Sequence, residues 1–349
     1  MKQATFKLIL FSLCFFALLT TSCQKGEAIN LTEEAEVEES LRVDKTTNLL
    51  TTIDCEIYYY STRNSITNIY KMDASGVEQP IIIDDDHQDW WVRVSPNKDK
   101  MLWYKSSKSG KKYNNYKQAE LWMANIDGTN PQKVIDLDDY NWKAQGVADW
   151  SPDGTEIVMA AEEKGGHWHL FITDANGDNP QKISQRDAMF LDPSWSPDGQ
   201  KIVYTAVIDN YQGNIFNIGQ KFEIHVMDKD GSNEIQLTDD FLRDHDPYWS
   251  PDGTEIAFET WWDTNIFHCG VGKWSIRKYN FDTEAVTDVV KDPQANAVPR
   301  WTEDSEKVYF NRKECIGRPK VVRANRDGSN METVIENDAY PIYDVDLVY

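Results

Sequence analysis

Along most of the chain, apolar residues fall in short runs separated by clusters of Ser, Pro, Asp, Asn and Gly, which predicts strands joined by tight turns rather than helices. One stretch shows the unit in full: Trp249-Ser250-Pro251-Asp252-Gly253, followed by the apolar run Ile256-Ala257-Phe258. Trp150-Ser151-Pro152-Asp153-Gly154 and Trp195-Ser196-Pro197-Asp198-Gly199 repeat it. In each, Pro presets φ at the first turn position, Asp bonds its own backbone, and Gly supplies the positive φ that closes a hairpin.

Each copy continues through a variable loop, a third strand, an Asp-Gly or Asn-Gly turn and a short fourth strand. A second unit reads Ser95-Pro96-Asn97-Lys98 at its turn, and a sixth, starting at Trp301, degrades it to Thr302-Glu303-Asp304-Ser305. The turns recur at roughly 45 to 56 residues, the period of four-stranded propeller blades. The first unit, beginning at residue 56, lacks its opening strand, and Tyr340-Pro341-Ile342-Tyr343-Asp344 at the other end supplies a match for it. The expectation is an all-β, six-bladed β-propeller closed by a C-terminal strand that completes blade one and removes two free sheet edges.

The N-terminus is different. Lys2 and Lys7 precede an apolar run over 8–19 and the small residues Thr20, Thr21 and Ser22, so residues 1–22 read as a secretory signal too short to span a bilayer. Cys23 directly after this run resembles the lipobox of bacterial lipoproteins, which implies acylation of Cys23. Residues 23–50, with Glu27, Glu33, Glu34, Glu36, Glu38 and Glu39 and almost no aromatics, read as a flexible acidic tether, leaving 51–349 for the propeller. The net charge of −22 excludes a nucleic-acid partner, which needs clustered cations.

The segment from Asp192 to Gly199, its copies at Asp246 to Gly253 and Trp150 to Gly154, and Ile224-His225-Val226-Met227-Asp228-Lys229-Asp230-Gly231 together resemble the TolB-like family of WD-like propeller repeats over nearly all of the chain after the tether. The resemblance implies the propeller and an envelope setting on the periplasmic side or cell surface. It implies less about activity, because such propellers serve in colicin-linked envelope proteins, peptidase accessory domains and polysaccharide lyases.

In this repeat the tight turns share one face, and the long loops at 106–118, 206–221, 261–273 and 313–319 share the other, which is where function is expected. Aromatic residues assigned to that face are Trp90, Trp91, Trp142, Trp168, Tyr113, Tyr116, Tyr211, Phe216, Trp261, Trp262 and Phe267, suited to stacking on sugars or anchoring a protein. Trp150, Trp195, Trp249 and Trp301 are assigned instead to wedges between blades. Cys269 and Cys315 fall in corresponding loops of blades five and six and form the expected disulfide, while Cys55 reads as a buried free thiol. For ligand binding the candidates are Trp90, Trp142, His167, His169, Tyr211, Trp261, Trp262, His245 and Asp246. For catalysis they are His245, Arg243 and Tyr211, a His/Tyr/Arg set of the kind propeller lyases use. His245, Asp244 and Asp246 offer a metal alternative without the spacing of a known site, and no metal or cofactor is assigned. The leading expectation is a non-catalytic envelope lipoprotein, membrane-held only by its lipid, that binds an envelope protein or glycan; the alternative is a polysaccharide lyase or other carbohydrate-active enzyme on the same face.

Overall fold

A computed structural model describes residues 47–107, 109, 119–186, 188–207, 221–240, 242–263, 272–337 and 339–349. The signal, Cys23 and most of the tether lie outside the described residues, as do Tyr113, Tyr116, Tyr211, Phe216, Phe267 and Cys269. All regular structure among the described residues is strand. β1 (Asn48–Leu49) is followed by the meander β2 (Glu56–Arg63), β3 (Ile66–Met72) and β4 (Glu78–Ile82). The next antiparallel runs are β5 (Asp89–Val94), β6 (Lys100–Ser106), β7 (Ala119–Asn125), β8 (Gln132–Lys133), and β9 (Trp142–Trp150), β10 (Glu156–Glu163), β11 (Trp168–Asp174), β12 (Gln181–Lys182). They continue with β13 (Met189–Trp195), β14 (Lys201–Val207), β15 (Glu223–Asp228), β16 (Ile235–Gln236), and β17 (Arg243–Trp249), β18 (Glu255–Asp263), β19 (Lys273–Asn280), β20 (Ala285–Val290). The last run is β21 (Ala295–Trp301), β22 (Lys307–Lys313), β23 (Lys320–Asn325) and β24 (Glu332–Glu336). β25 (Ile342–Val348) then pairs antiparallel with β2, with Leu347 opposite Ile57, giving the first meander its fourth strand.

The turn chemistry is local and repeated. Ser151 Oγ donates to Asp153 Oδ1 at 2.7 Å, Thr155 N donates to the same oxygen at 3.0 Å, and Gly154, at φ 70°, donates its N–H to Ser151 O at 2.8 Å. The same bonds recur around Ser196 and Ser250, and in the degraded copy Thr302 replaces the serine. The wedge tryptophans are buried and join successive runs: Trp150 Nε1 donates to Arg93 O at 3.3 Å, and Trp301 Nε1 to Tyr248 O at 3.2 Å. Apolar cores form in the same way between neighbouring runs, as where Val158 and Leu170 cluster with Phe190 and Tyr204.

One boundary differs from the expectation. Asn48 and Leu49, assigned to the tether, pair with Glu336 and Ile335 as an extra edge strand on β24, and Thr47 is buried. Leu49 also lies against Gly76 of the β3–β4 turn, where an added Cβ would sit 3.2 Å from Leu49 Cβ. Apolar Leu49 and a free sheet edge outweigh the acidic composition that precedes them.

The first strands of the runs converge on a polar interior. Five of the six carry a bulge at which a residue takes positive φ, Trp91 (58°), Asp192 (49°), Asp246 (48°), Val298 (56°) and Asp344 (39°), while β9 shifts register without one. Bulges re-aim side chains, and here Asp192 and Asp246 line a space of about 10 Å³ shared with Arg93, Asp149, Tyr248 and Arg300, no more than one water needs. Arg93 Nη1 donates to Asp344 Oδ2 at 2.9 Å and Arg300 Nη2 to Asp344 Oδ1 at 3.4 Å.

Candidate functional site

The segment Arg243-Asp244-His245-Asp246 opens β17, and strand alternation distributes its side chains. Arg243 and His245 share one face, Asp244 takes the other, and the bulge turns Asp246 inward. On the first face Arg243 stands opposite Trp261 of β18, and Trp261 opposite Trp274 of β19, so that a cation and two indoles form one row across three strands. The indoles stack with centroids 5.4 Å apart and planes inclined by 7°, and the Arg243 guanidinium lies 5.0 Å from the Trp261 ring. Phe222, just before β15, packs on both members of the next layer: its ring is 4.3 Å from the Arg243 guanidinium and 4.5 Å from the His245 imidazole. Burial against these rings pulls the Arg243 guanidinium below its ordinary value. His245 Nδ1 faces Asp192 Oδ2 at 3.8 Å. Trp261, Trp262 and Trp274 are half-buried, with Lys273 and Lys291 at 5.0 and 5.7 Å from the Trp262 ring. Lys273 alternates with Trp274, so Trp262 and the two lysines form a second group on the face opposite the Arg243–Trp261–Trp274 row.

Other sequence candidates are placed elsewhere. Trp90 and Trp142, 6 and 5 % exposed, are core residues packed on Tyr104 and Phe171, and Trp91 and Trp168 are buried as well. Their assignment to a ligand-facing surface is corrected by this burial: each sits on a strand whose apolar face points into the core between runs. His169 is buried with Nδ1 3.0 Å from Ser184 Oγ and stacks on Phe190, while His167 lies beside it with ring centroids 6.3 Å apart. The structure therefore brings Arg243, His245 and Trp261 together, leaves His167 and His169 on the separate β10–β12 run, and turns Asp246 into the polar interior. His245 and Asp244 diverge, so the set His245, Asp244, Asp246 does not form. Cys55 is free and buried, and burial pushes its thiol up to about 12. Cys315 is disulfide-bonded.

Sequence reasoning missed Trp274, whose signal was its register opposite Trp261 across a long hairpin. It also missed Glu223 and Asp240, which meet Asp244 on the second face of β17. Burial holds Asp244 up to about 6 and Glu223 up to about 8, the latter aided by repulsion from Asp244 and Asp240. No local pattern links these three residues. In the polar interior, burial likewise lifts Asp149, Asp344 and Asp346 to about 6, with Arg93 opposing the shift in each, and lifts Asp246 well above the usual carboxylate range.

The geometry agrees with known structures. The chain superposes on TolB from Acinetobacter baumannii with a TM-score of 0.64 over 91 % of this chain and 71 % of that one, at 13 % identity. It superposes on a TolB described as putative from Agrobacterium tumefaciens with a TM-score of 0.56 over 87 % of this chain and 99 % of that one, at 18 % identity. The fold is a TolB-like β-propeller. In sequence, the chain is 24 % identical over 193 residues to an uncharacterized protein of Agrobacterium fabrum, Atu1656, covering 53 % of this chain and 59 % of that protein's length. No family profile matches the chain.

Proposed function

We propose that the chain is an exported binding propeller, with six four-stranded blades closed into a ring by β25, anchored to a bacterial envelope membrane through acylated Cys23. It takes an envelope protein or glycan on its loop face and catalyses no reaction. The observation that supports this reading is the Arg243–Trp261–Trp274 row, a half-exposed indole stack beside a cation at the strand ends that flank the long loop over 264–271. Such a surface combines large apolar area with polar tips and orders few rotatable bonds on binding. In this reading Cys269 is the partner of the disulfide-bonded Cys315, a bond that would preorganise this end. The polar interior leaves only about 10 Å³ between Asp192, Asp246, Arg93 and Arg300, too little for a sugar, so a glycan would be taken on the loop face.

The test is a binding screen of the mature chain on envelope glycans and purified envelope proteins, run beside incubation with uronate polysaccharides while the ultraviolet absorbance of unsaturated products is followed. Trp261→Ala is expected to weaken the retained ligand about tenfold, the loss of about 1.4 kcal/mol, with an unchanged circular dichroism spectrum. Unsaturated product that disappears in His245→Ala would overturn the non-catalytic reading.

A further inference from the structure

On the face of β17 opposite the aromatic row, Glu223, Asp240 and Asp244 offer carboxylate oxygens that all lie within 4.8 Å of one another. Asp244 is 0 % exposed and Glu223 4 % exposed. Thr260 Oγ1 donates to Asp244 Oδ1 at 2.6 Å, and Thr238 Oγ1 donates to Glu223 Oε2 at 2.8 Å. Their other oxygens, Asp244 Oδ2 and Glu223 Oε1, are buried and accept no hydrogen bond among the described residues. A buried carboxylate oxygen left without a donor is costly, and two in one cluster require an explanation.

The charges do not balance within the protein. Arg277 Nη1 donates to Asp240 Oδ2 at 2.8 Å and approaches Asp244 Oδ1 at 3.5 Å, while its Nε also approaches Asp288 Oδ1 at 4.0 Å, so one guanidinium is shared among several carboxylates and is not placed against Glu223. When all three are ionised they carry two more negative charges than Arg277 supplies, the complement of a divalent cation, whose binding displaces any proton held in the set. Every donor is oxygen, with no imidazole or thiolate in the set, which suits a hard ion. Calcium–oxygen distances of about 2.3–2.6 Å bridge ligand atoms up to roughly 4.6–5.2 Å apart, whereas magnesium at about 2.0–2.1 Å demands a tighter set.

We infer that Glu223, Asp240 and Asp244 form a calcium-binding site, with Thr238 and Thr260 orienting two of the carboxylates. Asp240 lies in the connection between β16 and β17, Glu223 starts β15 and Asp244 lies at the start of β17, so the ion ties three chain segments together at the loop end of the propeller. Phe222 and Arg243, the neighbours of Glu223 and Asp244, belong to the aromatic row on the opposite face. The ion therefore fixes the strand ends that carry that row, and the inference stands whether or not the row binds a ligand.

The experiment uses the mature chain stripped with EDTA, exchanged into about 0.15 M salt to screen the acidic surface, and titrated calorimetrically with calcium chloride. One saturable site per chain is expected, together with a rise in melting temperature that EDTA reverses. Asp244→Asn and Glu223→Gln, near-isosteric changes, are each expected to weaken calcium at least tenfold, while Asp230→Asn, in an exposed turn, leaves it unchanged. Equilibrium dialysis with labelled calcium on Glu223→Gln, with folding checked by circular dichroism, gives the answer if Asp244→Asn does not fold. Absence of a saturable site in the wild-type chain, or equal affinity in wild type and Glu223→Gln, overturns the inference and leaves protons as the only occupants of the cluster. Magnesium binding as tightly as calcium would overturn the choice of ion.

Discussion

A single added methyl group separates two kinds of glycine in this molecule. Gly231, at φ 86°, closes the β15–β16 turn with no room on its outer side: a Cβ there would lie 2.0 Å from Ile183 O of the preceding run. Gly253, at φ 72°, has the same backbone hand, but its Cβ would meet only Pro197 Cγ at 3.4 Å. The left-handed conformation costs a side chain about 1–2 kcal/mol at either position. The backbone clash adds to this only at the first, because a carbonyl cannot rotate away as a flexible side chain does. Gly231→Ala is therefore expected to destabilise the fold by about 3 kcal/mol or more, and Gly253→Ala by about 1 kcal/mol. Chemical denaturation of the two variants checks this, and equal losses would show that the contact between runs is not what demands the glycine. The glycine letter was legible in the sequence as a turn former, but its second role as a contact point between sheets was not, because Ile183 lies 48 residues upstream in a different repeat.

At the scale of the element, β25 carries more than its own pairing. It completes the sheet of β2, and it delivers Asp344 to Arg93 and Arg300 and Asp346 to the Val94 N–H, whose bond to Asp346 Oδ2 is 2.6 Å. Removing residues 342–349 would leave two buried guanidiniums without their carboxylate and expose an edge on β2. The truncated chain is expected to lose its cooperative thermal transition, read by differential scanning calorimetry; a single sharp transition within a few degrees of the intact chain would show that β25 is dispensable. The match between the C-terminal segment and the repeat's first strand made this strand legible. Its role as the acceptor for Arg93 was not, since 251 residues separate Arg93, only 3 % exposed, from Asp344.

For the whole molecule, the buried acids set the response to pH. Asp149, Asp344 and Asp346 are raised by burial from 3.8 to about 6. Their folded-state values exceed the unfolded ones, so the stability they contribute is complete below about 3.8 and is lost as pH rises through about 6. The turn aspartates act in the opposite sense. Asp153 is lowered to about 2 by bonds from Ser151 and Thr155, and its contribution is present above 3.8 and lost as pH falls through about 2. The melting temperature, measured in EDTA to exclude metal, is expected to peak between about pH 4 and 6 and to fall by about 3–6 °C by pH 8. A melting temperature that rises steadily from pH 5 to pH 8 would contradict the neutral interior.

The turns and the order of strands follow from the sequence alone, because a Ser-Pro-Asp-Gly hairpin satisfies its own hydrogen bonds within six residues and a tryptophan at its head needs only a neighbouring run to cover it. The tertiary structure decided which side chains meet. Alternation along β17 sends Arg243 and His245 to one face and Asp244 to the other, the bulge turns Asp246 inward, and Trp90 and Trp142 go into the core although their positions near loops suggested a binding surface. Arg93 finds Asp344 across 251 residues, and Glu223 finds Asp244 through the placement of two adjoining runs. Burial, charge balance and register act between strands, and a one-dimensional pattern records only what each strand does by itself.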